Sequence, residues 1–227
     1  MKSFALLSSC CLVLSIASLS AHAAGTYAES LAAADKALGA QQNEGALSEL
    51  ATAISQSTTP GERALALAKK GYVLAFAKQD YAGARPAVEE ALKVDGLAPV
   101  AKVTALQVLA ECQIKAEKNF SGAMGNLQSA LTLEGVDWAK PALTMSLADC
   151  HRSVGDLEQA MASYRRVLDL ADAGPDLKAG AHLNIGFIYQ YDRKDFAKAK
   201  EAYGAAVALR PNLQTEVNGH IGRMSDL

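Results

Sequence analysis

The sequence predicts an all-α protein, a solenoid of about five stacked helix-turn-helix units closed by a short C-terminal helix. Two observations carry that expectation. Five times an alanine is followed by a bulky residue four places on, a smaller one at seven and an aliphatic at eight: Ala46, Leu50, Ala53, Ile54; Ala84, Val88, Ala91, Leu92; Ala123, Leu127, Ala130, Leu131; Ala160, Tyr164, Val167, Leu168; and Ala199, Tyr203, Ala206, Val207. The alanines lie 38, 39, 37 and 39 residues apart, a period at which no unit buries its apolar face alone and each completes its neighbour's core. Between them, apolar residues at three- and four-residue spacing trace two amphipathic helices per unit.

The chain opens with Lys2, an uncharged apolar run from Phe4 to Leu19 and the small-x-small triplet Ala21-His22-Ala23, which reads as a signal peptide over residues 1–23. The mature chain is then expected to begin at Ala24, in a periplasm or outside the cell. An uncleaved anchor is the rival, but Ser15, Ser18 and Ser20 thin a segment that needs about 20 apolar residues to span a bilayer. Lipidation at Cys10, after Leu7-Ser8-Ser9, is a second rival; it would leave an apolar region of only Phe4 to Leu7.

Residues 24–227 form one expected domain, with repeats at about 26–58, 61–95, 99–134, 138–172 and 176–211 and a cap over 212–224. The polar turns within units run Gln41 to Glu44, Lys78 to Asp80, Lys118-Asn119, Gly155-Asp156 and Asp192 to Asp195. In the last four, Asp80, Asn119, Asp156 and Asp195 precede a bulky residue and suit a helix N-cap, where a short acceptor side chain takes a free backbone N–H. The links carry breakers: Thr59-Pro60-Gly61, Gly96 to Pro99, Gly135 to Pro141, Gly174-Pro175 and Arg210-Pro211. Pro86 lies inside a predicted helix and should kink it locally without ending it. Leu213, Val217 and Ile221 give the cap one apolar face, weakened by Gly219 and Gly222.

These units resemble the tetratricopeptide repeat, a helix-turn-helix of about 34 residues. Gly186, Tyr189, Phe196, Ala199, Tyr203, Ala206, Leu209 and Pro211 carry the resemblance best, and Leu147, Ala148, Gly155, Leu157, Ala160, Tyr164, Leu168 and Leu170 nearly as well. Units two and three match in their second helices, with Gly71 and Ala110 in the small first-helix role and one extra residue in the turn. The resemblance implies a right-handed superhelix whose first helices line a concave surface. On that surface it places Tyr72, Phe76, Gln107, Glu111, Lys115, Met145, Asp149, Arg152, Phe187 and Tyr191. A mixed aromatic and charged groove suits an extended or helical peptide. The relatives that grip a terminal carboxylate use Lys, Asn and Arg, whereas Met145, Asp149, Leu183 and Phe187 stand here.

Other chemistry is weakly represented. Without residues 1–23, 21 Lys+Arg face 24 Asp+Glu, so the net charge of −3 argues against nucleic acid or an anionic membrane as partner. No nucleophile elbow, phosphate loop or H-E-x-x-H motif occurs, and neither an enzyme nor a cofactor is expected. His151 and His182 read as half-buried packing groups; a metal site with Asp149 and Cys150 is disfavoured because three sequential residues point apart around a helix. Cys112 and Cys150 take equivalent places in neighbouring units, about 8–10 Å apart, so core thiols are favoured over a disulfide. Trp138, the sole tryptophan, is expected to plug the gap beside a long link, with a loop anchor as the alternative. The expected function is an exported, non-enzymatic scaffold for a protein or peptide in a bacterial envelope. A self-associating or structural subunit working through its flanks and ends is the alternative.

Overall fold

The computed structural model describes residues 26–226; the expected signal segment, Cys10, Cys11 and the cleavage point near Ala23 lie outside the described residues. Ten helices pair into five hairpins: α1 (Tyr27–Gly39) with α2 (Asn43–Gln56), α3 (Pro60–Tyr72) with α4 (Tyr81–Leu92), and α5 (Pro99–Cys112) with α6 (Phe120–Leu131). Then come α7 (Lys140–Ser153) with α8 (Leu157–Asp169), α9 (Pro175–Phe187) with α10 (Phe196–Leu209), and the closing α11 (Gln214–Gly222). No strand occurs among the described residues. Each helix packs on the next, and successive first helices also touch, α3 on α5 and α7 on α9, which makes the body a helical solenoid.

The repeated series is the core. The five alanines, the bulky residues four places on and the residues at seven are all fully buried, while Ile54, Leu92, Leu131, Leu168 and Val207 are half-buried between units. Close approach within a hairpin rests on the small first-helix residue. A methyl group on Gly71 would lie 2.4 Å from Val88 Cγ1, and one on Gly186 would lie 2.3 Å from Tyr203 Cε1.

The second helices start as their sequences suggest. Asp80, Asn119, Asp156 and Asp195 accept from the backbone N–H of Gly83, Gly122, Gln159 and Lys198 at 2.9, 3.0, 3.2 and 3.1 Å. Gln42 takes that place in the first hairpin and makes no such bond. The first helices of the first two hairpins begin with capping boxes, Thr26 with Glu29 and Thr59 with Glu62. The link prolines do more than stop a helix: Pro60, Pro99, Pro141 and Pro175 open the next one, where a missing N–H costs nothing. Pro86 sits within α4, and the helix runs on past it.

The extra turn residue is absorbed by a π-helical turn. Val73–Ala77, Gln113–Glu117 and Ile188–Asp192 each prolong a first helix by one such turn, so the fifth unit shares the insertion expected only in the second and third. In these units the backbone N–H of Asp80, Asn119 and Asp195 reaches back six residues to Leu74, Gln113 and Tyr189. In the fourth unit Asp156 reaches back five, to His151. Every hairpin then turns on one left-handed residue just before the second helix's cap: Gln41, Gln79, Lys118, Gly155 and Lys194. A one-residue difference in length is thus taken up inside the first helix, and the direction of the second is kept.

Candidate functional site

The first helices border three concavities, the second and third sharing Arg152. At the N-terminal end, Leu38 of α1, Tyr72 of α3, Val100 and Thr104 of α5, and Ala142 of α7 surround a concavity of about 530 Å³ together with Trp138. Tyr72, Val100 and Trp138 are 42%, 45% and 58% exposed, which is unusual for large apolar side chains gathered on one surface. Phe76 extends the patch, its ring centroid 4.8 Å from that of Tyr72. Trp138 therefore does not plug the link. A short 3-10 turn, Asp137–Ala139, buries Ala139 and leaves the indole facing the concavity.

The middle is polar. Glu111 and Lys115 from α5 and its π turn, Asp149 and Arg152 from α7 and Asn184 from α9 border a second concavity of about 310 Å³. The Tyr164 hydroxyl donates to Asp149 Oδ1 at 2.5 Å, Asn184 Nδ2 donates to the same oxygen at 3.3 Å, and Arg152 donates to Asn184 Oδ1 at 2.8 Å. Lys115 Nζ lies 3.9 Å from Glu111. Although Asp149 keeps exposed surface, the enclosing wall dominates its carboxyl: loss of solvent raises its pKa more than the Tyr164 bond and the nearby cations lower it. The Glu111 pKa is also raised, first by burial and then by the Asp149 charge, against the pull of Lys115.

At the C-terminal end, Arg152, Phe187, Tyr191 and Asp192 border a third concavity of about 370 Å³. Here α11 takes a share of the surface expected for a ligand. The His220 ring lies against Phe187 with centroids 4.7 Å apart and meets the Tyr191 hydroxyl at 3.2 Å, and the His220 carbonyl accepts from the buried Gln190 at 2.9 Å. Phe187 also packs with Tyr203, Val217 and Met224 in the terminal core. Met145 is half-buried against the core of α8 and α9, its methyl lying over Gly180. Of the ten residues placed on the concave surface, Tyr72 and Gln107 line the first concavity with Phe76 exposed beside them, Glu111, Lys115, Asp149 and Arg152 line the second, Arg152, Phe187 and Tyr191 border the third, and Met145 is packed against the core. Outside that expectation, Leu38, Val100, Thr104, Trp138 and Ala142 line the first concavity and Asn184 the second, while the fully buried Tyr164 holds Asp149; the signal for Val100 is its place one turn before Thr104 and two before Gln107.

The remaining reactive groups point elsewhere. Cys112 and Cys150 are free, buried in different core clusters, and burial pushes both thiols up to about 11. His151 turns to Asp156, 3.7 Å away, and His182 is half-buried, with its pKa lowered by desolvation. Among the described residues no group of three His, Cys, Asp or Glu is arranged to hold a metal ion, and no helix is long and apolar enough to cross a membrane.

Hairpins stacked in one direction, with an open face on the first helices, define the helical-repeat class. Residues 145–173 and 179–213 match the family model of the tetratricopeptide repeat. No curated protein matches it in sequence. Among solved structures it is similar to MamA from Desulfovibrio magneticus RS-1, at 19% identity over 84% of this chain and 98% of that one, with a TM-score of 0.60. It is similar also to YrrB, described as a TPR protein with an unusual peptide-binding site, at 19% identity over 90% and 100% of the two chains, with a TM-score of 0.58. At such identity the likeness is one of fold.

Proposed function

We propose that the protein is an exported, non-enzymatic scaffold that holds a peptide segment of a protein partner along the face of its first helices. The observation that carries this reading is the convergence of exposed Tyr72, Val100 and Trp138 on one concavity of about 530 Å³. Apolar surface left in water gains about 25 cal/mol per Å² when covered, so such a patch is a standing driving force for association. The peptide-binding site named for YrrB supports the same use of the fold. Export rests on Lys2, the apolar run from Phe4 to Leu19 and the triplet Ala21-His22-Ala23.

Two measurements test it. The combined change Tyr72→Ala and Trp138→Ala should reduce recovery of crosslinked partners from the native cell envelope at least several-fold while helicity is kept; undiminished recovery rejects the groove. A mature chain beginning at Ala24 in the envelope fraction is expected by mass spectrometry. An intact Met1 in that fraction, or a chain confined to the cytoplasm, rejects cleaved export.

A further inference from the structure

We infer that the groove takes a peptide segment bearing one large apolar side chain and, two or three residues along, one lysine or arginine. This rests on the groove reading above and adds the chemistry of its ligand. Four of the seven large apolar side chains exposed among the described residues gather at the N-terminal end: Tyr72, Val100 and Trp138 round the concavity, with Phe76 stacked on Tyr72. That end sets the apolar anchor.

The polar wall beside it sets the charge. Glu111 follows Gln107 by four residues on α5, and Asp149 follows Ala142 by seven on α7, which places the two carboxylates about 6 Å and about 10 Å along the helices from the apolar concavity. An extended segment advances about 3.3 Å per residue, so the matching group lies two or three residues from the anchor. The wall's own cations, Lys115 and Arg152, answer this demand only in part. Lys115 stands 3.9 Å from Glu111 with half its side chain in solvent, and Arg152 turns to Asn184 and over the Phe187 ring. Both donors to Asp149, Tyr164 and Asn184, are neutral. An ammonium or guanidinium entering beside Glu111 and Asp149 would meet two carboxylates, one of them already oriented by Tyr164 and Asn184.

Trp138 is the chain's sole tryptophan and stands in the apolar concavity, so its emission reports occupancy directly. The purified protein is titrated with acetylated, amidated nine-residue peptides free of tryptophan. Each holds one Leu and, at offsets of one to five, either Lys or Gln in an otherwise Ala, Ser and Gly background. Lys at an offset of two or three should tighten binding about tenfold over Gln at the same place, and Glu111→Gln with Asp149→Asn should bring that ratio to about one. Should the double variant lose helicity, the ratio is read in Glu111→Gln alone.

Equal binding of Lys and Gln peptides at every offset overturns the inference and leaves the groove standing. If no peptide alters Trp138 emission, the groove reading fails with it. Emission that shifts with protein concentration alone, accompanied by dimers in light scattering, assigns the concavity to a second copy and overturns both.

Discussion

The Tyr164 hydroxyl, rooted in the core of the fourth hairpin, donates to the Asp149 carboxylate in the groove wall at 2.5 Å. A core residue of the second helix thereby fixes a charged side chain of the first. Burial and the neighbouring Asp149 charge push the phenol's pKa upward, so it remains the donor throughout the neutral range. Tyr164→Phe removes this bond and should cost about 1.5 kcal/mol, lowering Tm by roughly 4 °C, because Asp149 keeps only Asn184 and water. Calorimetry of the variant checks it, and an unchanged Tm would show that the bond contributes nothing net.

Gly71→Ala sets two effects against each other. Alanine is the better helix former by about 1 kcal/mol, but its methyl would stand 2.4 Å from Val88 Cγ1 and 3.3 Å from the Ala84 carbonyl oxygen. Valine is stiff at χ1 and Ala84 is backbone, so overpacking should win by about 1–2 kcal/mol net. Val88→Ala in the same chain should recover part of that loss. Denaturant titration of the two single variants and the double variant decides: purely additive effects would mean the pair does not meet.

Lys118 occupies the left-handed region at φ 56° and ψ 25°, where the fourth hairpin places Gly155. A side chain there costs roughly 1–2 kcal/mol, offset in part by glycine's greater freedom when unfolded. Lys118→Gly should therefore gain up to about 1 kcal/mol, seen as a higher urea midpoint at constant slope. A lower midpoint would refute the account of this turn.

The raised carboxyls of Glu111 and Asp149 make stability depend on pH with a definite sign. Between the unfolded values, 4.5 for Glu and 3.8 for Asp, and the higher folded ones, the native state holds protons that the unfolded chain has released. These two groups therefore lower stability as pH rises through that window, an effect fully developed above it. Glu62, Asp137 and Asp195, with lowered values, act in the opposite sense, so the informative quantity is a difference. Glu111→Gln should gain Tm over the parent protein near pH 7, and the gain should vanish near pH 4. A difference independent of pH would count against Glu111 as a strained charge.

Most of the core was readable because the rule that makes it is local. The alanine series names the residues that each second helix turns inward, and Asp80, Asn119, Asp156 and Asp195 cap those helices through atoms only three residues away. The extra residue in the fifth unit escaped notice because Asp192 to Asp195 reads as an ordinary polar turn. It became visible only as the π turn that carries the bond from Asp195 to Tyr189. Trp138 departs from its expected place for a related reason: a tryptophan in a long link is compatible with filling a gap, and composition does not say which way a 3-10 turn will aim it.

By itself the sequence determined the class of protein, the phase of its hairpins and the residues that close its core, since each depends on side chains within about one helical turn or at the repeat period. Only the tertiary structure decided which part of the first-helix face remains open. Phe187 and Tyr191 meet α11 through His220, some thirty residues away in sequence, while Tyr72, Val100 and Trp138 are brought together from three separate units. Periodicity specifies what a helix buries against its immediate neighbours. The groove depends on how successive hairpins are set against one another, and that geometry comes from the packing of the whole array.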